Sequence, residues 1–409
     1  MKVLIGISHS SVALLLVIIC LSCNMSSVWA TMQQLEVWRQ QKRLNKPAVK
    51  SIKSPDGDII DCVHISHQPA FDHPLLTNHT IQMRPSFYPL GLYDENKVAS
   101  KMEPSSVSQL WHQNGRCPED TIPIRRTRKD DMVRATSAER YGNKRHRTIP
   151  NPTSAQPNRD AGGYEHVLVH VTGDKYYGAK GTINVWNPKV QEQDEYSASQ
   201  LWVRGGPPES INTIEAGWHV MPSLYGDDRT RLFAFWTADN YASIGCYNLL
   251  CPGFVQVNKE IALGATIHPI SSYDGPQYEI TILIWKDPNT GNWWLQYGNQ
   301  SALGYWPSSL FPQLQDSASE IQWGGEVLNI NKNGHHTSTG MGNGYFPTGG
   351  FQEASFFKNL RIVDRSNKLQ TPQHQEDLMT RSLCYSVHRD RDDHGVFFYG
   401  GPGRNEDCP

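Results

Sequence analysis

From Tyr164 to the C-terminus, apolar residues recur at every second position in short runs separated by turn residues. His166–Val171, Thr182–Trp186, Gln200–Val203, Ile214–Val220, Leu232–Thr237, Tyr278–Trp285, Trp293–Tyr297, Ile321–Leu328, Phe356–Val363 and Val396–Tyr399 each read as a strand. Asp287-Pro288-Asn289-Thr290-Gly291, between two of them, has the composition of a hairpin connection. No helical period is sustained here, and no internal repeat suggests a propeller. About ten antiparallel strands in roughly 250 residues predict an all-β fold, an antiparallel two-sheet β-sandwich of jelly-roll type.

The front of the chain has a different pattern. Leu35–Leu44 places its apolar residues as a short amphipathic helix would, and the chain then becomes rich in Pro and His with strand-like patches such as Ile59–Val63. A small mixed α/β unit over 31–120 is therefore predicted. Residues 121–163 hold Ile124-Arg125-Arg126-Thr127-Arg128-Lys129, Lys144-Arg145-His146-Arg147 and Pro150-Asn151-Pro152 with no hydrophobic period, which predicts an exposed, cleavable basic linker. Ahead of these, Lys2, the apolar run Val12–Leu21 and Val28-Trp29-Ala30 have the order of an export signal over 1–30. The run is too short for a membrane span, so a secreted or vacuolar protein is expected. Asn78 and Asn299 stand in glycosylation acceptor triplets.

Cysteine usage fits export. Cys20 and Cys23 would leave with the signal, and Cys62, Cys117, Cys246, Cys251, Cys384 and Cys408 remain as an even set. Their clustering suggests the pairs Cys62–Cys117, Cys246–Cys251 and Cys384–Cys408. Charged residues make up only 19% of the chain, which argues against a coiled coil or helical bundle. The net charge of -2 makes nucleic acid an unexpected partner. That average conceals a split: residues 1–150 carry about +7 and the remainder about -9. Opposite signs in one chain suggest a basic front segment lying on an acidic domain.

Most familiar catalytic patterns are absent, including H-E-x-x-H, G-x-S-x-G and phosphate-binding glycine loops. His335-His336 reads better as an exposed loop pair than as a metal site, and Asp390–Gly395 lacks the final Glu of a calcium loop. No metal or cofactor is implied. Carboxylates remain. In Thr213–Val220, alternation puts Ile214, Ala216, Trp218 and Val220 on one face and Glu215, Gly217 and His219 on the other. In Ile321–Val327, Ile321, Trp323 and Val327 face one way and Gln322, Gly324 and Glu326 the other. Two glutamates, each two residues from a glycine and backed by a core tryptophan, are placed to meet across one sheet.

These segments belong to a longer set. Gln68-Pro69-Ala70-Phe71-Asp72-His73-Pro74-Leu75-Leu76 and Ile122-Pro123-Ile124-Arg125-Arg126 lie in the front part. Ile214-Glu215-Ala216-Gly217-Trp218, Phe235-Trp236-Thr237-Ala238-Asp239, Cys251-Pro252-Gly253-Phe254-Val255-Gln256, Trp323-Gly324-Gly325-Glu326 and Tyr399-Gly400-Gly401-Pro402-Gly403 follow in the back part. With them the chain resembles the neprosin family, plant glutamic peptidases that cleave at proline and carry an N-terminal activation segment. The resemblance implies a concanavalin-like sandwich over 164–409, an activation peptide over 31–120, and Glu215 and Glu326 as the catalytic pair. It implies a peptide or protein substrate and an intramolecular inhibitor in the front segment; the export signal sets the expected location, secreted to the extracellular space or apoplast, or vacuolar. Trp236, Tyr247, Tyr305 and Trp306 are candidates for an apolar slot that takes a proline ring, with His219 and Gln322 beside the glutamates as further substrate contacts. His64, His67, His73 and His79 are candidates for a pH-sensitive hold in the front segment. Thr339–Phe346 departs from the family's T-Q-M-G-S-G-H-F at the Gln and the His. A two-carboxylate glycoside hydrolase and a silent peptide- or glycan-binding sandwich are the competing expectations.

Overall fold

The computed structural model describes residues 32, 34–92, 108–135, 141–144, 163–298, 302–389 and 395–409. The export signal, the glycosylation triplet at Asn299, most of the calcium-like loop and the 145–162 stretch lie outside the described residues. No described helix is long and apolar enough to cross a membrane.

Two antiparallel sheets face each other. The six-stranded sheet runs, in spatial order, Glu376–Met379, Tyr164–Tyr176, Ala318–Leu328, Tyr196–Gly205, Asn212–Val220 and Arg231–Thr237. The other sheet has nine strands and is centred on Gly178–Asn184, Glu279–Lys286 and Ser355–Val363. Every run of alternating residues in the back segment falls on a strand of one of them. The connection at Asp287–Gly291 does join a hairpin, with Lys286 opposite Trp293.

The alternation predicted which residues would face inward. Ile214, Ala216, Trp218 and Val220 are wholly buried, as are Ile321, Trp323 and Val327. The indoles also tie the sheets together, because Trp218 Nε1 donates to Asn184 O at 2.9 Å and Trp323 Nε1 to Lys180 O at 3.1 Å on the opposite sheet. A buried N–H thus finds a backbone acceptor, and the large apolar ring can sit between the layers at no polar cost. The three disulfides join Cys62–Cys117, Cys246–Cys251 and Cys384–Cys408, the pairs that clustering suggested.

The front segment differs from expectation in two respects. Its helix, residues 34–44, is present, but up to 125 the rest is a three-stranded sheet, a two-residue strand at Ser108–Gln109 paired with the back segment, and short 3-10 segments, so mixed α/β describes it poorly. The supposed linker also does not begin at 121. Thr121–Arg125 is the third strand of that sheet, with Pro123 opposite Cys62, and Lys129–Arg134 is a helix. Two of the arginines there are paired: buried Arg125 meets Asp58 at 3.0 Å, and half-exposed Arg126 meets Asp61 at 2.7 Å. A basic run read without its partners looked like exposed chain.

The front segment covers the outer face of the six-stranded sheet. Leu44, Met132 and Tyr141 form one cluster with Tyr164, Tyr196, Tyr225, Phe233, Phe235, Tyr241 and Tyr247. A second arm crosses the nine-stranded sheet, where His79 bonds the Tyr305 hydroxyl at 2.7 Å and Ser86 N donates to Asp287 at 2.7 Å.

Candidate active site

Three neighbouring strands build the site. Glu215 on Asn212–Val220 lies opposite Trp202, and Glu326 on Ala318–Leu328 lies opposite Ala198, with the Tyr196–Gly205 strand between them. The two acids are therefore diagonal across the middle strand, and Gln200 occupies its midpoint. Both lateral neighbours of Gln200 are glycines, Gly217 and Gly324. A Cβ at Gly217 would stand 2.0 Å from Ser199 O, and one at Gly324 would stand 2.0 Å from Val167 O, so neither strand accepts a side chain there. The bare floor lets two long carboxylate side chains lean toward each other.

They meet at an ammonium group. Lys144 Nζ lies 3.3 Å from Glu215 Oε2 and 2.7 Å from Glu326 Oε1. Reach to a single nitrogen puts the two carboxylates within about 6 Å of each other. All three side chains are buried. Lys144 belongs to the front segment: Tyr141 packs in the aromatic cluster and Gly142 O accepts from Tyr247 N at 2.8 Å. The ammonium is also 5.2 Å from the ring centre of Tyr241 and 5.6 Å from that of Phe235.

Each glutamate has its own donors. Glu215 Oε1 accepts from Tyr241 Oη at 2.6 Å and Thr213 Oγ1 at 3.0 Å. Glu326 accepts from the Tyr196 hydroxyl, is 3.1 Å from His166 Nε2 and 3.5 Å from Gln200 Nε2. Burial by itself would push the Glu326 carboxyl upward, but Lys144 and His166 outweigh it and hold the group below its ordinary value. Burial opposes charge on Lys144 too, yet the two glutamates raise it well above the usual lysine range. Burial and the Glu215 charge push the Tyr241 phenol well up, so it stays a donor. His219 is driven well below its ordinary value by burial, with Arg231 and Lys144 adding to the effect, and is neutral.

The candidate substrate contacts divide. His219 and Tyr247 line the glutamate face, His219 stacked on Phe233 at 4.2 Å and Tyr247 against Phe235 at 4.8 Å. Gln322 shares the Glu326 face but lies four residues along, bonded to Glu320 at 2.7 Å. Trp236 is corrected: alternation along Arg231–Thr237 sends it inward, where it meets Phe311 edge-on at 5.6 Å in the inter-sheet core. Tyr305 and Trp306 are corrected as well. Both stand on the nine-stranded sheet, Tyr305 beneath His79 and Trp306 against Phe254. The aromatic wall beside Glu215 consists instead of Phe233, Phe235, Tyr241 and Tyr247. Of the histidine pair, His335 is exposed while His336 is buried 2.9 Å from Glu165.

Lys144, Tyr196, Gln200, His166 and Tyr241 were not anticipated. Gln200 and Tyr196 had a usable signal, since both fall on the face of their strand that flanks the glutamates. Lys144 and Tyr241 had none, because each arrives from a stretch without regular period.

The sequence model of a family described as Neprosin matches residues 193–402, and that of the Neprosin activation peptide matches residues 51–170. Among solved structures, that of scytalido-glutamic peptidase with a peptide-based transition state analog is 10% identical, covers 59% of this chain and 98% of its own, and has a TM-score of 0.32. SCP-B, a member of the eqolisin family of peptidases, in complex with the tripeptide Ala-Ile-His, is 9% identical over 58% of this chain and 97% of its own, with a TM-score of 0.31.

Proposed function

The chain belongs to the neprosin family of glutamic-type peptidases, and on that footing we propose that Glu215 and Glu326 are its water-activating pair, held latent in the precursor by Lys144. The observation that carries this is the meeting of two buried glutamates from separate strands at one ammonium of the activation region. Once Lys144 is gone, two carboxyls about 6 Å apart or closer cannot both ionise readily. Their titrations couple, and one proton is retained by the pair well above the ordinary carboxylate range. The ionised member takes a proton from water as it attacks the scissile carbonyl. The protonated member supports the oxyanion and then protonates the leaving nitrogen, as peptide hydrolysis requires. Tyr241 and Thr213 orient Glu215; Tyr196 and His166 orient Glu326. Buried polar atoms without a protein partner, among them Gln200 Oε1 and Trp202 Nε1, lie on the same strand beside the pair and suit an extended peptide backbone. The Phe233, Phe235, Tyr241 and Tyr247 wall suits a proline ring.

The sign of the pH dependence follows from the groups at the latch. Glu326 is held below its ordinary value, so its contribution to the closed precursor is full above that range and is lost as pH falls through it. Lys144 is raised, which keeps it charged throughout acid and changes nothing there. Acid therefore opens the precursor, and the 145–162 stretch is the place for cleavage. His73 and His79 add to this. Burial lowers both, so their support is full above about pH 6.5 and declines below it. The chain is further inferred to be exported before activation, and N-terminal sequencing of the secreted product would check the cut after Ala30. Digestion of a proline-containing peptide library from pH 7 to pH 3 is expected to show activity rising toward acid, with Glu215→Gln and Glu326→Gln each inactive. Wild-type turnover by either variant would remove that residue from the pair.

A further inference from the structure

The tip of the hairpin between Ala48–Lys53 and Ile59–His64 sets Asp58 against Arg231 on the Glu215 face of the sheet and Asp56 against Thr266, which bridges to Arg231 at the sheet's edge. Asp58 Oδ2 meets Arg231 Nη1 at 2.5 Å. Arg231 Nη2 is held from the other side by Asp227 at 2.7 Å, and the guanidinium lies 4.5 Å from the ring centre of Tyr225. Arg231 is the register partner of His219, which is four residues from Glu215 on the same face. That spacing is about 13 Å, or four residues of an extended peptide.

The front segment occupies the ground a substrate would cross, with Lys144 between the glutamates and Asp58 further along. When it departs it removes Asp58 and also Arg125, a second cation 5.1 Å from the Tyr225 ring centre. Arg231 keeps Asp227 and Gly264 O, its other close partners, while Nη1 loses its carboxylate. We propose that Arg231 forms a carboxylate-binding subsite of the processed enzyme, which selects an acidic residue three to five positions from the scissile bond, and that Asp58 is its stand-in within the precursor. This rests on the glutamate pair being the site of peptide cleavage.

The test uses processed enzyme and a neutral proline-containing peptide, with Asn replaced in turn by Asp or by cysteic acid, which stays ionised in acid, at positions two to six on either side of the cleaved bond. The expected result is a rise of about tenfold in kcat/KM at one position three to five residues away, smaller at high salt. In Arg231→Gln the acid-to-amide ratio should fall to about one, and each variant serves as its own control. If that variant does not fold, the wild-type series still decides: a ratio near one at every position overturns the subsite and leaves Asp58–Arg231 a docking contact only. A ratio that survives in Arg231→Gln overturns it too. Failure to cleave any peptide, the neutral series included, would count against the glutamate pair instead.

Discussion

Replacing Lys144 with Met removes the charge from the latch while keeping most of its length. In the intact precursor this leaves Glu215 and Glu326 buried together with no cation between them. The least costly response is for a carboxyl to take up a proton. With an ordinary glutamate value of 4.5, protonating one carboxyl at pH 7 costs about 3.4 kcal/mol, at about 1.36 kcal/mol per pH unit. At pH 5.5 the same step costs about 1.4 kcal/mol. The variant precursor is thus expected to lose about 3 kcal/mol against wild type at pH 7, in line with the cost of orphaning a buried charge. The loss should shrink by about 2 kcal/mol at pH 5.5. Urea unfolding of both chains at the two pH values measures this, with gels confirming that the chains stay uncut. A loss that is the same at both pH values, or below about 1 kcal/mol at pH 7, would mean that the glutamates do not depend on Lys144 for their charge.

Tyr241→Phe removes the 2.6 Å hydrogen bond to Glu215 but leaves the ring in its cluster. Processed enzyme carrying it should lose about ten- to a hundredfold in kcat with its acid limb moved upward, whereas an unchanged pH–rate profile would separate Tyr241 from the pair. Trp236→Ala, by contrast, should destabilise the chain by about 3–5 kcal/mol in urea unfolding and leave KM for proline peptides unaltered. A selective rise in KM without a stability loss would return Trp236 to the substrate slot.

The strands were legible because alternation is a local property and the inward face of a sandwich tolerates only apolar residues. Ile214, Ala216, Trp218 and Val220 show that rule, and Glu215 could be placed on the opposite face without coordinates. The same logic failed for Trp236, Tyr305 and Trp306. Aromatic character says that a ring is buried, not which layer buries it; here two of the three stand on the sheet that carries neither glutamate. Alternation along Arg231–Thr237 would have excluded Trp236, since Phe235 and not Trp236 is the register partner of Glu215.

The charge split along the chain predicted that the front segment lies on the back segment, and it does, but net charge was a poor guide to how. The front segment is basic overall, yet the group it sets on Arg231 is an acid, Asp58, with Arg125 on the far side of that carboxylate, while at the glutamate pair it contributes a lysine. Complementarity is set group by group, because buried charges within about 3 Å interact far more strongly than a net charge spread over a screened surface. Two contacts of opposite polarity about 13 Å apart also fix the register of the segment, since sliding it one way along the face would carry Asp58 toward the glutamates and sliding it the other way would carry Lys144 toward Arg231. Either slide would bring like charges together. On the proposed latch, the pairing that would hold the precursor closed also keeps Lys144 aligned with the two carboxylates, until protonation of the acids removes one side of it.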